Sequence, residues 1–315
     1  MNKDFAVKLE KYKMLFVFIG MIIIASLLTD RFLTVSNISN IMRQVAVNGI
    51  LACGMTFVML TGGFDLSVGS IVTLTGATAL SMQPVLGVGG AILLAIMIGA
   101  AAGSFNGAIL SKINANSGDA FMITLGSQLL IFGVSLLAYN ARFIPGSRDP
   151  FYMYLGTGNL LGFLPVPLLI FFIVALLSHL ILWLTPFGRK VYLTGGNYEA
   201  ARLSGIKVGF YKMFVYVIAG ATAAISAIVL TSRSMGSSSD LGKGYELDAI
   251  AAVIVGGISL EGGEGSIVRT VLGVFIIGVL SNILNLMGMS SFNQMIVKGI
   301  VITAAVWLDR KRVSA

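Results

Sequence analysis

Charge is what this chain has least of. Asp, Glu, Lys and Arg make up 11% of its 315 residues, against about 25% in soluble domains, too few to cover a surface that faces water. Cysteine and histidine each occur once, as Cys53 and His179. One cysteine excludes a disulfide framework and a zinc spacing, and inside its apolar run Cys53 reads as a small buried hydrophobe. His179 lies in an apolar stretch with no second candidate ligand, which argues against a metal site or a Ser-His-Asp triad. It reads as a packed or interface-facing side chain. A phosphate loop is missing too. Between Gly236 and Lys243 the glycine spacing is one residue too long, and Gly244 stands where Ser or Thr is required. No connection is long enough for a soluble catalytic domain, so any energy source must be another chain or an ion gradient.

What is present is apolar. Hydrophobic residues account for 57% of the chain, mean hydropathy is +0.93, and 38 glycines and 15 methionines suit helices that pack closely. The net charge of +8 comes without a basic helix bearing interleaved aromatics, so it points to positive-inside topology rather than to nucleic acid. Apolar runs long enough to be membrane helices fall near 14–29, 40–61, 65–82, 88–111, 120–138, 164–184, 212–231, 247–258, 265–286 and 293–308. The expectation is an all-α polytopic membrane protein, a single domain over 1–315 with about ten transmembrane helices. The run 247–258 is short for a full crossing. Ten crossings keep both basic termini in the cytoplasm, whereas nine would put Arg310, Lys311 and Arg312 outside. Lys3, Lys8, Lys11 and Lys13 precede Met14–Thr29, but Asp30-Arg31-Phe32 is a poor cleavage site, so this reads as a retained first helix. Residues 186–211 carry Arg189, Lys190, Arg202 and Lys207 against one acid, Glu199, which makes the segment cytoplasmic. Residues 139–163 and 232–246 then lie outside.

Two glycine-rich junctions interrupt the apolar runs. Thr61-Gly62-Gly63-Phe64-Asp65-Leu66-Ser67-Val68-Gly69 and Gly256-Gly257-Ile258-Ser259-Leu260-Glu261-Gly262-Gly263-Glu264-Gly265 share a build, offset by 194 residues (256 minus 62). They read either as a weak internal repeat or as chance likeness. Gly62, Gly63, Gly256 and Gly257 are expected helix breaks. Asp65 and Ser67 either cap the next helix or line a pathway or gate. Glu261 and Glu264 read mainly as a solvated turn, with Arg269 placed to pair with either. Asn48, Asn106, Thr124, Gln128, Asn282 and Asn285 are uncharged polar residues in apolar helices, candidates for interhelical hydrogen bonds or for a polar pathway. Lys298 either snorkels or pairs with a carboxylate. Finally, Asn197, Glu199, Ala200, Ala201, Arg202, Leu203, Ser204 and Gly205 make a short helix ending at Gly205, too polar to span. It is either an inert connector or a helix that docks into a partner.

At these residues the chain resembles the permease subunits of bacterial ABC importers for ribose, galactose, xylose and related monosaccharides. The motifs are Thr61 to Gly69, Gly195-Gly196-Asn197 with Ala200 to Ile206, and Gly244-Tyr245-Glu246-Leu247-Asp248-Ala249-Ile250-Ala251-Ala252 running into Gly256-Gly257. The last looks most like the ribose branch. The resemblance implies a type II-like ABC permease fold in the bacterial inner membrane. It also implies ATPase subunits that bind the ATP, a periplasmic sugar-binding protein, and a second permease, identical or paired. No cofactor is implied in this chain. On that basis 197–205 looks like the coupling helix, and the cargo like a pentose such as ribose. Two departures, Ser117 to Met122 before Thr124-Leu125-Gly126 and Arg269 in place of a small residue, leave the sugar and the second permease open. The alternative from another class is an ion-coupled secondary sugar transporter, suggested by Asp65, Glu261 and Glu264. A passive channel is a further rival.

Overall fold

The computed structural model describes the backbone of residues 3–313 and the side chains of 14–290, 292–301, 303 and 304. The described chain folds into helices α1 (Lys3–Leu28), α2 (Val35–Leu60), α3 (Val68–Ser81), α4 (Gln83–Lys112), α5 (Ser117–Tyr139), α6 (Pro150–Thr157) and α7 (Val166–Leu184). They are followed by α8 (Pro186–Gly196), α9 (Tyr198–Leu203), α10 (Val208–Ser234), α11 (Tyr245–Val255), α12 (Ile267–Leu286) and α13 (Ser291–Val313). Four two-residue strands pair as β1 (Ile144–Pro145) with β4 (Gly236–Ser237), and β2 (Asn159–Leu160) with β3 (Leu164–Pro165). Every apolar run marked in the sequence holds a helix. Among the described residues six helices, namely α2, α4, α5, α7, α10 and α12, are long and apolar enough to cross a membrane. The fold is that of a polytopic, all-α membrane protein. Helix α3 has 14 residues and α11 has 11, so they extend only about 21 and 17 Å, short of a bilayer core of about 30 Å.

Helix α2 runs through the middle. From Val45 to Leu60 every residue is buried, which a surface helix with one apolar stripe could not sustain. Helices α4 and α10 pack backbone to backbone. A Cβ on Gly99 would collide with the Gly220 carbonyl oxygen and one on Gly103 with that of Tyr216, while one on Gly107 would lie 2.7 Å from that of Met213. Glycine at every fourth position gives one smooth stripe, which lets two helices touch where lipid offers no hydrophobic drive. Outward faces are apolar, as at Leu27, Leu176, Trp183 and Leu184. Such faces are a liability in water and ordinary against acyl chains.

Strands β1 and β4 tie 139–163 to 232–246 at one end of the bundle, as expected of two loops on the same side. Helices α8 and α9 close the other end. Between these ends, residues 236–244, the stretch that mimics a phosphate loop, leave β4 and descend into the bundle. Gly242 packs on the Gly69 carbonyl, and its N–H donates to Thr73 Oγ1 at 3.0 Å. Helix α11 therefore starts inside the bundle, and irregular backbone completes its path. Irregular backbone is tolerated at such depth only when buried in protein or lining a cavity.

Candidate functional site

Both glycine junctions end a helix in the same way. The Gly63 N–H reaches back to the Val58 carbonyl and the Ile258 N–H to that of Val253, the six-to-one bond of a Schellman cap, with a left-handed glycine just past each helix. Those glycines are Gly62 (φ 73°) and Gly257 (φ 87°). The structural offset is thus 195 residues (257 minus 62) rather than the 194 of the glycine pairs. Gly63 and Gly256 have other roles, since a Cβ would lie 2.7 Å from the Tyr216 hydroxyl in the first case and collide with the Arg269 carbonyl oxygen in the second. Matching by sequence aligned the pairs; the caps align one residue out of step.

After the first cap the chain stays inside the bundle. The Leu66 N–H donates to Thr124 Oγ1 at 3.1 Å, and Thr124 lies seven residues into α5 (124 minus 117), about 10 Å from its start. Asp65 is fully buried. Its Oδ1 accepts from the Ser67 N–H at 2.9 Å and the Ser67 hydroxyl at 2.6 Å, and Asn106 Nδ2 donates to that hydroxyl at 2.8 Å. The Ser67 side chain does not cap α3. Its hydroxyl is engaged sideways, so one of the expected capping partners is corrected. Asp65 stabilises the turn instead, and the Asn106–Ser67–Asp65 chain binds α4 to the α2–α3 junction. Asp65 Oδ2, Asn106 Oδ1 and Asn48 Oδ1 have no partner among the described residues.

The other polar candidates divide. Asn282 and Asn37 exchange hydrogen bonds at 2.8 and 3.0 Å across α12 and α2. Asn285 is exposed and accepts from Gln294 at 3.5 Å. Gln128 alone meets a charged group. Its Nε2 lies 3.3 Å from Glu246 Oε1, while Glu246 Oε2 accepts from the Gly244 N–H at 3.0 Å. Lys298 pairs with Asp248 at 2.7 Å, realising the carboxylate option. Arg269 takes neither glutamate and donates to the Gly257 carbonyl at 3.4 Å; Glu261 and Glu264 are exposed. His179 stacks on Trp183, with ring centroids 6.0 Å apart.

Helix α9 forms as its residues dictate. Asn197 Oδ1 accepts from the Ala200 N–H at 2.9 Å, an N-cap. The left-handed Gly205 (φ 78°) ends the helix, with the Ile206 N–H on the Ala201 carbonyl. Ala201 faces inward, while Arg202, Leu203 and Ser204 are exposed, Leu203 at 81%. Arg202 and Glu199 pair at 2.9 Å in the open. A cavity of about 600 Å³ lies between α8 and α9, lined by Arg189, Tyr192, Asn197, Ala200, Ser204 and Ile206 among others. Tyr192 donates to the Gly265 carbonyl at 3.0 Å, and burial pushes its phenol up, partly offset by Arg269.

Three glycine-rich segments converge at this end. The Gly263 N–H donates to the Leu60 carbonyl at 2.9 Å. A Cβ on Gly195 would collide with that same oxygen, and one on Gly262 would lie 2.6 Å from the Gly62 nitrogen. Residues 60–62, 195–196 and 262–263 thus meet through bare backbone. The sequence shows three glycine pairs but not that they touch.

A family model described as "Branched-chain amino acid transport system / permease component" matches residues 37–306. The chain is 44% identical to the ribose import permease protein RbsC of Bacillus subtilis (strain 168), covering 93% of this chain and 90% of that protein. It is 42% identical to RbsC of Escherichia coli (strain K12), over 96% and 95%. It is 33% identical to the L-arabinose transport system permease protein AraH of Escherichia coli (strain K12), over 97% and 92%. No solved structure matches significantly.

Proposed function

Because the chain belongs to the family of branched-chain amino acid transport system permease components, we propose that it is the membrane-spanning permease of an ATP-driven sugar importer, with ribose as cargo. Full-length likeness to ribose import permeases carries this reading. In it the α8–α9 end faces the cytoplasm and the β1–β4 end receives sugar from a binding protein outside a bacterial inner membrane. A second permease, identical or paired, completes the pathway. ATP is bound and hydrolysed by separate subunits, and this chain performs no chemistry. The exposed side of α9, with Arg202 and Leu203, receives those subunits. Asn197, Glu199, Ala200, Ala201, Ser204 and Gly205 set its shape.

The polar candidates take different parts. Asp65, Ser67 and Asn106 brace the joint beside the inner gate, Thr124 and Gln128 belong to the pathway wall, and Asn282 bonds helices together. An ion-coupled carrier needs a carboxylate inside the pathway that exchanges with water; Asp65 is sealed, and Glu261 and Glu264 lie exposed in a turn at the α8–α9 end. Energisation decides between them. In vesicles holding the chain with its ATPase subunits and binding protein, ribose uptake should require ATP inside and survive an ionophore. Uptake that collapses with the ion gradient and ignores ATP would overturn the proposal.

A further inference from the structure

Glu246 is the buried carboxylate that the pathway assignment leaves out. It is 6% exposed and sits at the start of α11, where the descending 236–244 loop delivers it. Its depth follows from its neighbours. Gln128 lies eleven residues from each end of α5 (128 minus 117, 139 minus 128), about 16 Å from either, so Glu246 is at mid-bundle. Room for it is specifically made. A Cβ on Gly69 would collide with Glu246 Oε2, so a side chain at 69 would displace the carboxylate. An ionisable group at such depth is costly and belongs to function by default.

Beside it a cavity of about 250 Å³ opens, lined by Ser70, Thr73, Gln128, Leu129, Phe132 and Lys243. That is roughly eight water volumes, the scale of one monosaccharide ring with its hydroxyls. Gln128 forms the wall between cavity and carboxylate, and its bond to Glu246 Oε1 fixes which way its amide points. The Ser70 hydroxyl donates to the Gln128 backbone carbonyl at 2.8 Å, which holds that wall to α3. Lys243 is exposed and lines the cavity. Leu129 and Phe132 offer an apolar face. A few fixed polar groups on an apolar wall make a small-molecule site.

We infer that this cavity is a sugar-binding station midway along the path, in which Gln128, oriented by Glu246, reads a hydroxyl of a neutral monosaccharide. The inference rests on the importer reading above. Neutrality follows from the lining, in which Lys243 is the one charged residue and stands among uncharged hydroxyl, amide and apolar side chains, with no cluster of charge to select an ion. Phe132 takes the ring's C–H face and Lys243 donates to an outer hydroxyl.

Two measurements test it. The first places Leu129→Cys in a Cys53→Ala chain, assembled with its partners, and follows alkylation of the new thiol by a water-soluble reagent. Ribose should slow alkylation, ribose 5-phosphate should not, and Gln128→Ala should abolish the protection. Protection by the phosphate ester alone, or by neither compound, overturns the station. The second compares uptake of ribose and 2-deoxyribose by the full complex. If Gln128 reads the hydroxyl missing from the latter, Gln128→Ala should shrink the preference for ribose about threefold to tenfold, the worth of one neutral hydrogen bond. An unchanged ratio together with unprotected alkylation at position 129 overturns the station while leaving ATP-dependent import standing. Ion-driven uptake with ribose protection intact would instead remove the importer reading and keep the binding site.

Discussion

At the scale of single residues, the hydrogen-bonded chain Asn106–Ser67–Asp65 is the sharpest test of what holds the first junction. Asn106→Ala removes the donor to Ser67 and should cost about 1–3 kcal/mol, read as a lower unfolding midpoint of the detergent-solubilised protein. Asp65→Asn keeps an acceptor for Ser67 and should cost less than Asp65→Ala. Tyr152 supplies a pH test. Its hydroxyl shares a 2.6 Å hydrogen bond with Thr231, and burial pushes the phenol up to about 12 from 10.0. The folded state therefore keeps a proton that the unfolded chain releases near its ordinary value. Stability is fully present below that value and falls as pH rises from about 10 to about 12, by on the order of 2 kcal/mol. Tyr152→Phe should flatten that alkaline loss in unfolding measurements across the window.

At the scale of elements, the glycine stripe of α4 and the cap of α9 make opposite demands. Gly103→Leu would force α4 and α10 apart, so the variant should fail to accumulate as folded protein in the membrane. Gly126, with open space around it, should accept alanine without loss. At Gly205 space is also open and the constraint is the left-handed backbone. On the coupling role proposed for α9, Gly205→Val, which distorts its end, and Arg202→Glu, which reverses its charge, should each lower ATPase stimulation by loaded binding protein while insertion stays normal. The Arg202–Glu199 pair is worth little to stability because both side chains are exposed. Much of this scale was legible in advance. Asn197 and Gly205 bracket α9 because capping chemistry is local, and the apolar runs became helices because burial demands it. Local patterning also misled. The Gly-Gly pairs suggested an offset of 194, whereas left-handed geometry selects Gly62 in one junction and Gly257 in the other.

At the scale of the whole molecule, what escaped the sequence is what depends on distant segments meeting. Glu246 looked like part of a family motif near an outer loop. Only the descent of 236–244 onto Gly69 and Thr73 puts it beside Gln128, and no periodicity encodes that path. The Asn37–Asn282 exchange is of the same kind. Asn282 was legible as a polar residue in a helix, but its partner lies 245 residues away. The glycine pairs at 62–63, 195–196 and 262–263 were each visible, while their convergence required the fold.

That convergence has a consequence for how the protein is made. Leu60 and Gly195 leave the ribosome well before Gly263, which follows Gly195 by 68 residues (263 minus 195), roughly 3–14 s at usual elongation rates. During that interval the end of α8 lacks the third segment of its anchorage. Nascent chains halted before residue 263 should show protease-accessible 186–207 segments, and chains halted well past it should protect them. Equal protection at both lengths would mean that the anchorage does not wait for Gly263. The anchorage of α8 is therefore completed only after α11 has been synthesised and before α12 and α13 are, so this end of the bundle closes late in the making of the chain.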